Sequence, residues 1–392
     1  MQKEPSIIKG ALLVAGTSIG GGILALPVLT APAGFIPSIA IYLVCWLCMA
    51  ATGLLFLEVS QWMKGESNFI SMADYTLGWA GKYFAWGLYL FLFYSLTIAY
   101  MVGCGRIFLE LLPAGASHWM GPLFFTALFA PLILISTCLA TRLNLLLFTG
   151  LALSYLGFVV FGVKYVKTEQ LAFSDWSQYG VVLPIAFTSF AYQGIVPTLA
   201  SYMDHRASKV RYSILIGSFI PFIAYFIWQG LILGIVPLEG AEGLRAAAER
   251  GENAVLPLRF FLSGSWLYVL GQSFAFFALI TSFLGVSIGL RDFLSDGLGL
   301  QNKGRGRWIL AALVLCLPLV VSLFYPDIFL IALEYAGGVG CALLLGFLPI
   351  LMCWSGRYRM HLRSDYQLFG GRFLLVLLAF FILFEVFHEI WK

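Results

Sequence analysis

Eleven separate runs of this chain are long and apolar enough to cross a lipid bilayer, and no other feature restricts its fold so severely. A helix rises ~1.5 Å per residue, so ~20 apolar residues traverse a hydrocarbon core of ~30 Å. Breaks at charged or turn-forming residues delimit the runs at 7–30, 36–62, 83–111, 122–140, 145–165, 180–203, 212–236, 262–290, 307–324, 328–353 and 372–390, numbered here as spans 1 to 11. With 61% hydrophobic and 11% charged residues in 392, there is too little polar side chain to cover a water-soluble surface. The expected fold class is an all-α integral membrane protein, one domain over 1–392.

Eleven spans put the two termini on opposite sides of the membrane. Cytoplasmic loops retain positive charge during insertion, so the distribution of Lys and Arg sets the orientation. Lys3, Lys9, Lys64, Lys82, Arg142, Arg206, Lys209, Arg211, Arg291, Lys303, Arg305, Arg307, Arg357, Arg359, Arg363 and Arg372 lie on the side of the N-terminus, sixteen of the twenty-three basic residues. The N-terminus is therefore expected to be cytoplasmic and the C-terminus to lie on the opposite side of the membrane. Residues 1–10 run into span 1 without a small-residue cleavage site, so span 1 is expected to stay in the protein. The net charge of +4 comes from these short loops, and no nucleic-acid partner is expected. All seven cysteines fall in or beside apolar runs, including the Cys45/Cys48 pair inside span 2, which argues against a disulfide framework.

Two spans carry residues that a continuous helix tolerates poorly. Span 1 contains Gly16-Thr17-Ser18-Ile19-Gly20-Gly21-Gly22 and then Pro27; span 6 contains Thr188-Ser189-Phe190-Ala191-Tyr192-Gln193-Gly194 and then Pro197. Unwound backbone in hydrocarbon leaves amides and carbonyls without partners, so such a break must be buried or line a cavity. Two breaks five spans apart predict an inverted repeat, with spans 1–5 (7–165) matched by spans 6–10 (180–353) and span 11 (372–390) added outside. Half-helix N-termini offer free amides and a positive dipole end to an anion, while released carbonyls accept from a cation, so the pair suits a zwitterion such as an amino acid. The competing reading of span 1 is a packing surface, since Gly16 and Gly20 have GxxxG spacing.

At these residues the sequence resembles the aromatic amino acid permeases, the bacterial tyrosine-specific and tryptophan-specific transporters within the wider amino acid, polyamine and organocation superfamily. The resemblance rests on Gly16-Thr17-Ser18-Ile19-Gly20 with Leu24-Ala25-Leu26-Pro27, on Tyr94-Ser95-Leu96-Thr97-Ile98-Ala99-Tyr100, and on Thr281-Ser282-Phe283-Leu284-Gly285-Val286, and covers nearly the whole chain. The tyrosine permeases look closest. It implies the five-helix inverted-repeat fold, proton-coupled symport and an inner-membrane location. One departure stands in span 6, where the family pattern reads Ser-Phe-Gly-Phe-His-Gly and this chain reads Ser189-Phe190-Ala191-Tyr192-Gln193-Gly194. None of its four histidines lies in the middle of a span, so a histidine relay is not expected.

The substrate-binding candidates are Gly16, Thr17, Ser18, Gly20, Gly21, Gly22, Tyr94, Tyr100, Ser189, Phe190, Tyr192 and Gln193. The glycine-rich breaks would hold the zwitterion, the aromatic residues the ring, and Gln193 a substrate phenol. A charge inside a span is costly by at least ~2.5 kcal/mol, which makes Glu58, Arg106 and Glu334 candidates for proton coupling or gating, with Glu334 and Arg106 read together as an outer gate. Arg106 and Glu110 are also spaced to pair with each other. Thr281 and Ser282 offer hydroxyls to a sodium ion, or bond their own helix. No GxxxxGK[ST] loop occurs and no Asp, Glu or His converge at mid-depth, so neither an ATP-driven pump nor an enzyme is expected, and no cofactor or metal. The expected function is import of an aromatic amino acid, tyrosine foremost, by proton symport with alternating access. The alternatives are a tryptophan or broader amino acid symporter, and a passive channel.

Overall fold

The structure, a computed structural model, describes residues 5–63, 68–110, 112, 113, 115–134, 137–262 and 266–391; Lys3, Lys64 and Lys392 of the charge pattern lie outside them, as do the side chains of Cys138 and Arg142. Among the described residues it is all helix, with a lone antiparallel bridge between Gly34 and Ser174. Among the described residues nine helices are long and apolar enough to cross a membrane, and a bent pair, Ile7–Ser18 with Gly22–Ala33, makes a tenth.

Span 1 is that bent pair, turning by 55° between its halves. Span 2 is Phe35–Trp62. Gly34 starts it at φ 82, where a Cβ would also strike the Phe173 carbonyl, so glycine is required at this corner. Helix Phe69–Glu110 changes direction at Gly78, φ 74, and its longer part is span 3. Span 6 is Tyr179–Ser189, a 3₁₀ turn Gln193–Ile195 and Val196–Tyr202. Spans 7, 8 and 9 are Ala207–Ile235, Trp266–Leu298 and Gly304–Phe324, and span 11 is Gly371–Ile390.

Two boundaries differ from the sequence reading. The sequence reading divides spans 4 and 5 between residues 140 and 145, whereas Arg142 and Asn144 lie within the continuous helix Thr137–Gly162 of span 5; span 4 includes Met120–Leu134. Polar residues near a helix end mark the interface, not the end of the helix. Span 10 was expected as one helix and is wound unevenly. Phe329–Tyr335 is α, Ala336–Phe347 is π, Leu348–Trp354 is α and Ser355–Arg359 is π again.

Burial separates the spans into core and periphery. In their most apolar stretches, 72% of span 6 and 78% of span 10 are buried inside the protein, against 28% for Leu146–Tyr165 of span 5 and 33% for spans 9 and 11. The broken and unevenly wound helices are thus the interior ones, where irregular backbone finds protein partners. The first half of span 1 packs on span 7, and its second half on the first half of span 6.

Candidate functional site

The break in span 1 lies at Ile19–Gly21. Ile19 is extended (φ −74, ψ 101), so the helix that ends at Ser18 releases its last carbonyls, and the half-helix from Gly22 starts with amides that have no intrahelical acceptor. The Gly21 amide donates to Ser282 Oγ of span 8 at 3.1 Å. In span 6 the helix ends at Ser189, and Tyr192 (φ −141, ψ −7) separates it from the 3₁₀ turn.

The two breaks touch. A Cβ on Gly22 would lie 2.6 Å from Ser189 Oγ and 3.2 Å from Ser189 Cα. Tyr225 of span 7 binds them from behind, its hydroxyl 2.8 Å from the carbonyl oxygens of both Ser18 and Ser189. One hydroxyl has one proton to donate and each carbonyl has two lone pairs, so acceptor capacity remains at both helix ends. The Ser18 hydroxyl is buried and has no hydrogen-bond partner among the described residues.

A cavity of about 760 Å³ opens at the breaks. Span 1 contributes Gly16 to Gly20 and Gly22; span 6 contributes Thr188, Ala191, Tyr192 and Gly194. Aromatic walls come from Tyr89, Phe93 and Tyr100 of span 3 and Phe148 of span 5, and hydroxyls from Thr281 and Ser282. Cys341 and Leu345 reach it from the π-helical part of span 10. The cavity extends to Asn68, Asp292 and Asp296 at the span ends on the side of the N-terminus. Such a volume lies in the usual range for small-molecule sites, ~300–1,000 Å³.

The opposite side is sealed. Arg106 at the end of span 3 pairs with Asp327 in the loop before span 10, and donates to the carbonyls of Arg250 (2.7 Å) and Pro326 (3.3 Å). Arg250 is held by Glu252 at 2.9 and 3.0 Å, hydrogen bonds that push its pKa above the usual guanidinium value. Ala254 of the same loop donates its amide to Leu24 of span 1 at 2.9 Å. The small cavity beside Arg106 holds about 20 Å³, the size of one water.

Of the substrate-binding candidates, Gly16, Thr17, Ser18, Gly20, Gly22, Tyr100 and Tyr192 line the large cavity. Gly21 backs onto Tyr100, and Ser189 packs on Gly22. The other three point elsewhere. Tyr94 donates to the Leu313 carbonyl of span 9 at 2.9 Å. Phe190 is buried against Tyr225, ring centroids 5.2 Å apart and edge-on. The Gln193 amide is bonded within the protein: Oε1 accepts from the Tyr192 amide at 2.9 Å, and Nε2 donates to the Met49 carbonyl and Thr52 Oγ1, each at 3.1 Å.

The charged candidates are similarly redistributed. Arg106 is held directly by Asp327, where the sequence suggested Glu334 or Glu110; Glu110 instead accepts from Gln272 at 2.9 Å. Glu334 is half-buried near the start of span 10. Glu58 is buried and forks onto Arg357, with Nε to Oε1 at 2.7 Å, and accepts the Leu368 amide at 3.0 Å. Thr281 and Ser282 donate to their own helix, to Phe277 and Ala278 carbonyls at 2.8 and 2.7 Å. Among the described residues no His, Cys, Asp and Glu gather as a metal site. The sequence reading missed Tyr225, Phe148 and Cys341. Only Cys341, three residues after the Gly337-Gly338 pair, carried a local signal.

Comparison with known proteins gives three findings. Residues 3–391 match the tryptophan/tyrosine permease family. The chain is 32% identical to the tyrosine-specific transport system 1 of Haemophilus influenzae over 94% of its own length and 93% of the relative's. It is 30% identical to that organism's tryptophan-specific transport protein, over 98% and 95%. The fold is similar to the crystal structure of MhsT in complex with L-phenylalanine, with TM-score 0.68, 16% identity and coverage of 100% and 99%.

Proposed function

We infer, for a chain that belongs to the tryptophan/tyrosine permease family, that it imports an aromatic amino acid, tyrosine foremost, across a bacterial inner membrane by proton symport. The chain is a multi-pass membrane protein, a transport permease and not an enzyme, and amino acid transport is the coarse activity of its family. The observation that carries the finer reading is the meeting of the two helix breaks, Gly22 against Ser189, at the head of a 760 Å³ cavity.

In this reading the substrate carboxylate takes the amides of Gly20 and Gly22 at the positive end of the second half-helix of span 1. The ammonium takes the spare lone pairs of the released carbonyls at Ser18 and Ser189, and the Ser18 hydroxyl fills its open valence on the same ligand. The ring lies among Phe93, Tyr100, Phe148 and Tyr192. The structure then corresponds to an inward-facing state, with the cavity open on the N-terminal, cytoplasmic side and the Arg106–Asp327 contact closing the periplasmic side. Spans 1–5 (7–165) and 6–10 (180–353) form the two inverted repeats that rock about this site, with span 11 (372–390) outside them.

Tryptophan is the nearest competitor as substrate, because tyrosine-specific and tryptophan-specific relatives are almost equally similar. The test is binding of radiolabelled tyrosine to the purified protein, with unlabelled tryptophan, phenylalanine and leucine as competitors. Displacement by aromatic amino acids and not by leucine is expected; equal displacement by leucine overturns the aromatic assignment.

A further inference from the structure

Glu385 is a polar group that the site above does not use. It lies in span 11 at 1% exposure, with Glu389 one turn further on at 7%. Neither carboxylate oxygen of Glu385 has a hydrogen-bond partner among the described residues. Buried polar groups are normally paired, and an acidic residue within a membrane span is a functional candidate by default. An ionised carboxylate sealed from water without partners is expensive, and binding a proton removes that cost.

The surroundings connect this carboxyl mechanically to the transport site. Span 11 packs on the first half of span 6 and on the π-helical stretch of span 10, which runs twelve residues, whereas π-helix elsewhere is mostly single turns at functional sites. A Cβ on Gly338 would lie 3.1 Å from Glu385 Oε1 and 2.7 Å from Glu389 Cγ. A Cβ on the adjacent Gly337 would collide with the Pro184 carbonyl and the Thr188 hydroxyl, in the turn of span 6 that leads into its break. The Thr188 hydroxyl in turn donates to the Leu333 carbonyl of span 10 at 2.8 Å. Gly340 lies against Leu92 of span 3, and Cys341 opens on the cavity. Between residues 337 and 341, span 10 therefore meets Glu385, the span 6 break, span 3 and the cavity.

We propose that Glu385 is a proton-binding site of the transport cycle, and that the glycine-rich π-helical stretch of span 10 conveys its change of charge to the break in span 6. This inference rests on the proton-symport reading. The carboxylate takes its proton from the medium on one side and returns it to the other, with no further reactant. Its titratable surroundings are Cys45 and Cys48 of span 2, Cys341 of span 10, and Glu389. His388 turns to Tyr179 and Gly180 at the start of span 6, and Cys353 of span 10 to the Leu55 carbonyl.

The test compares wild type with Glu385→Gln in proteoliposomes, by tyrosine accumulation under an inward proton gradient and by tyrosine exchange with no gradient. Loss of gradient-driven accumulation with exchange retained is expected. A wild type driven by protons and a Glu385→Gln that accumulates equally well overturn this inference alone. A wild type that transports tyrosine without regard to the proton gradient overturns the symport reading first, and this inference with it. Where Glu385→Gln does not fold, Glu385→Asp keeps the acid one methylene shorter. A shifted pH midpoint of tyrosine binding then supports the proposal, and an unchanged midpoint overturns it.

Discussion

Gly22 and Ser189 are in contact across the two helix breaks, close enough that a Cβ on Gly22 would come within 3.2 Å of the Ser189 backbone. Backbone cannot swing aside as a long side chain does, so Gly22→Ala must separate spans 1 and 6 where they form the site. Overpacking of this kind costs about 1–3 kcal/mol, equivalent to roughly 5- to 150-fold in an equilibrium. Tyrosine binding is expected to weaken by that order in folded Gly22→Ala. Gly87→Ala is the control, since Gly87 does not line the cavity, a Cβ there meets nothing within 4 Å, and binding is expected to hold.

Gln193→Leu distinguishes the structural role of this residue from the substrate contact that its position in the sequence suggests. The variant takes the acceptor from the buried Tyr192 amide, while the Met49 carbonyl still accepts from the Tyr192 hydroxyl at 3.2 Å and Thr52 still donates to Met49 at 3.1 Å. Leaving one buried donor unsatisfied costs about 1–3 kcal/mol. A lower unfolding temperature in detergent is expected, with an unchanged preference for tyrosine over phenylalanine; a changed preference restores the phenol contact.

Glu58 and Arg357, both buried, form an ion pair that joins span 2 to the end of span 10 and to Leu368. Removing one partner of a buried pair costs about 3–5 kcal/mol, whereas replacing both by apolar residues is often neutral. Glu58→Leu alone is therefore expected to destabilise the protein strongly and the double variant Glu58→Leu/Arg357→Leu to recover most of the loss, read by thermal unfolding. A double variant no better than the single one refutes the clamp.

Asp327→Ala removes the acidic partner of Arg106 and weakens the seal on the side opposite the N-terminus. The expected outcome is faster labelling of Ser282→Cys by a membrane-impermeant thiol reagent applied from that side. Unaltered labelling means that the Arg106 contacts with the Arg250 and Pro326 carbonyls hold the closure alone.

The sequence was most informative where chemistry is local. Runs of apolar residues located the helices, and the glycine clusters with Pro27 and Pro197 located both breaks, because a helix cannot be held continuously by such residues. Side-chain direction was not legible. Gln193 and Tyr192 are neighbours, yet one is spent on span 2 and the other lines the cavity. Partners distant in sequence were equally hidden, since Glu58 and Arg357 are 299 positions apart and Arg106 and Asp327 are 221 apart. Glu385, an acid inside the apolar run 372–390, carried a signal that the sequence reading did not take up. The π winding of span 10 leaves no sequence pattern beyond its glycines.

The most direct test of the central claim is uptake of radiolabelled tyrosine into proteoliposomes under an inward proton gradient, with and without sodium. Accumulation above equilibrium that collapses with the proton gradient and is indifferent to sodium is the predicted result. Tyrosine that only equilibrates, accompanied by electrical conductance, would contradict the account and leave a passive channel in its place.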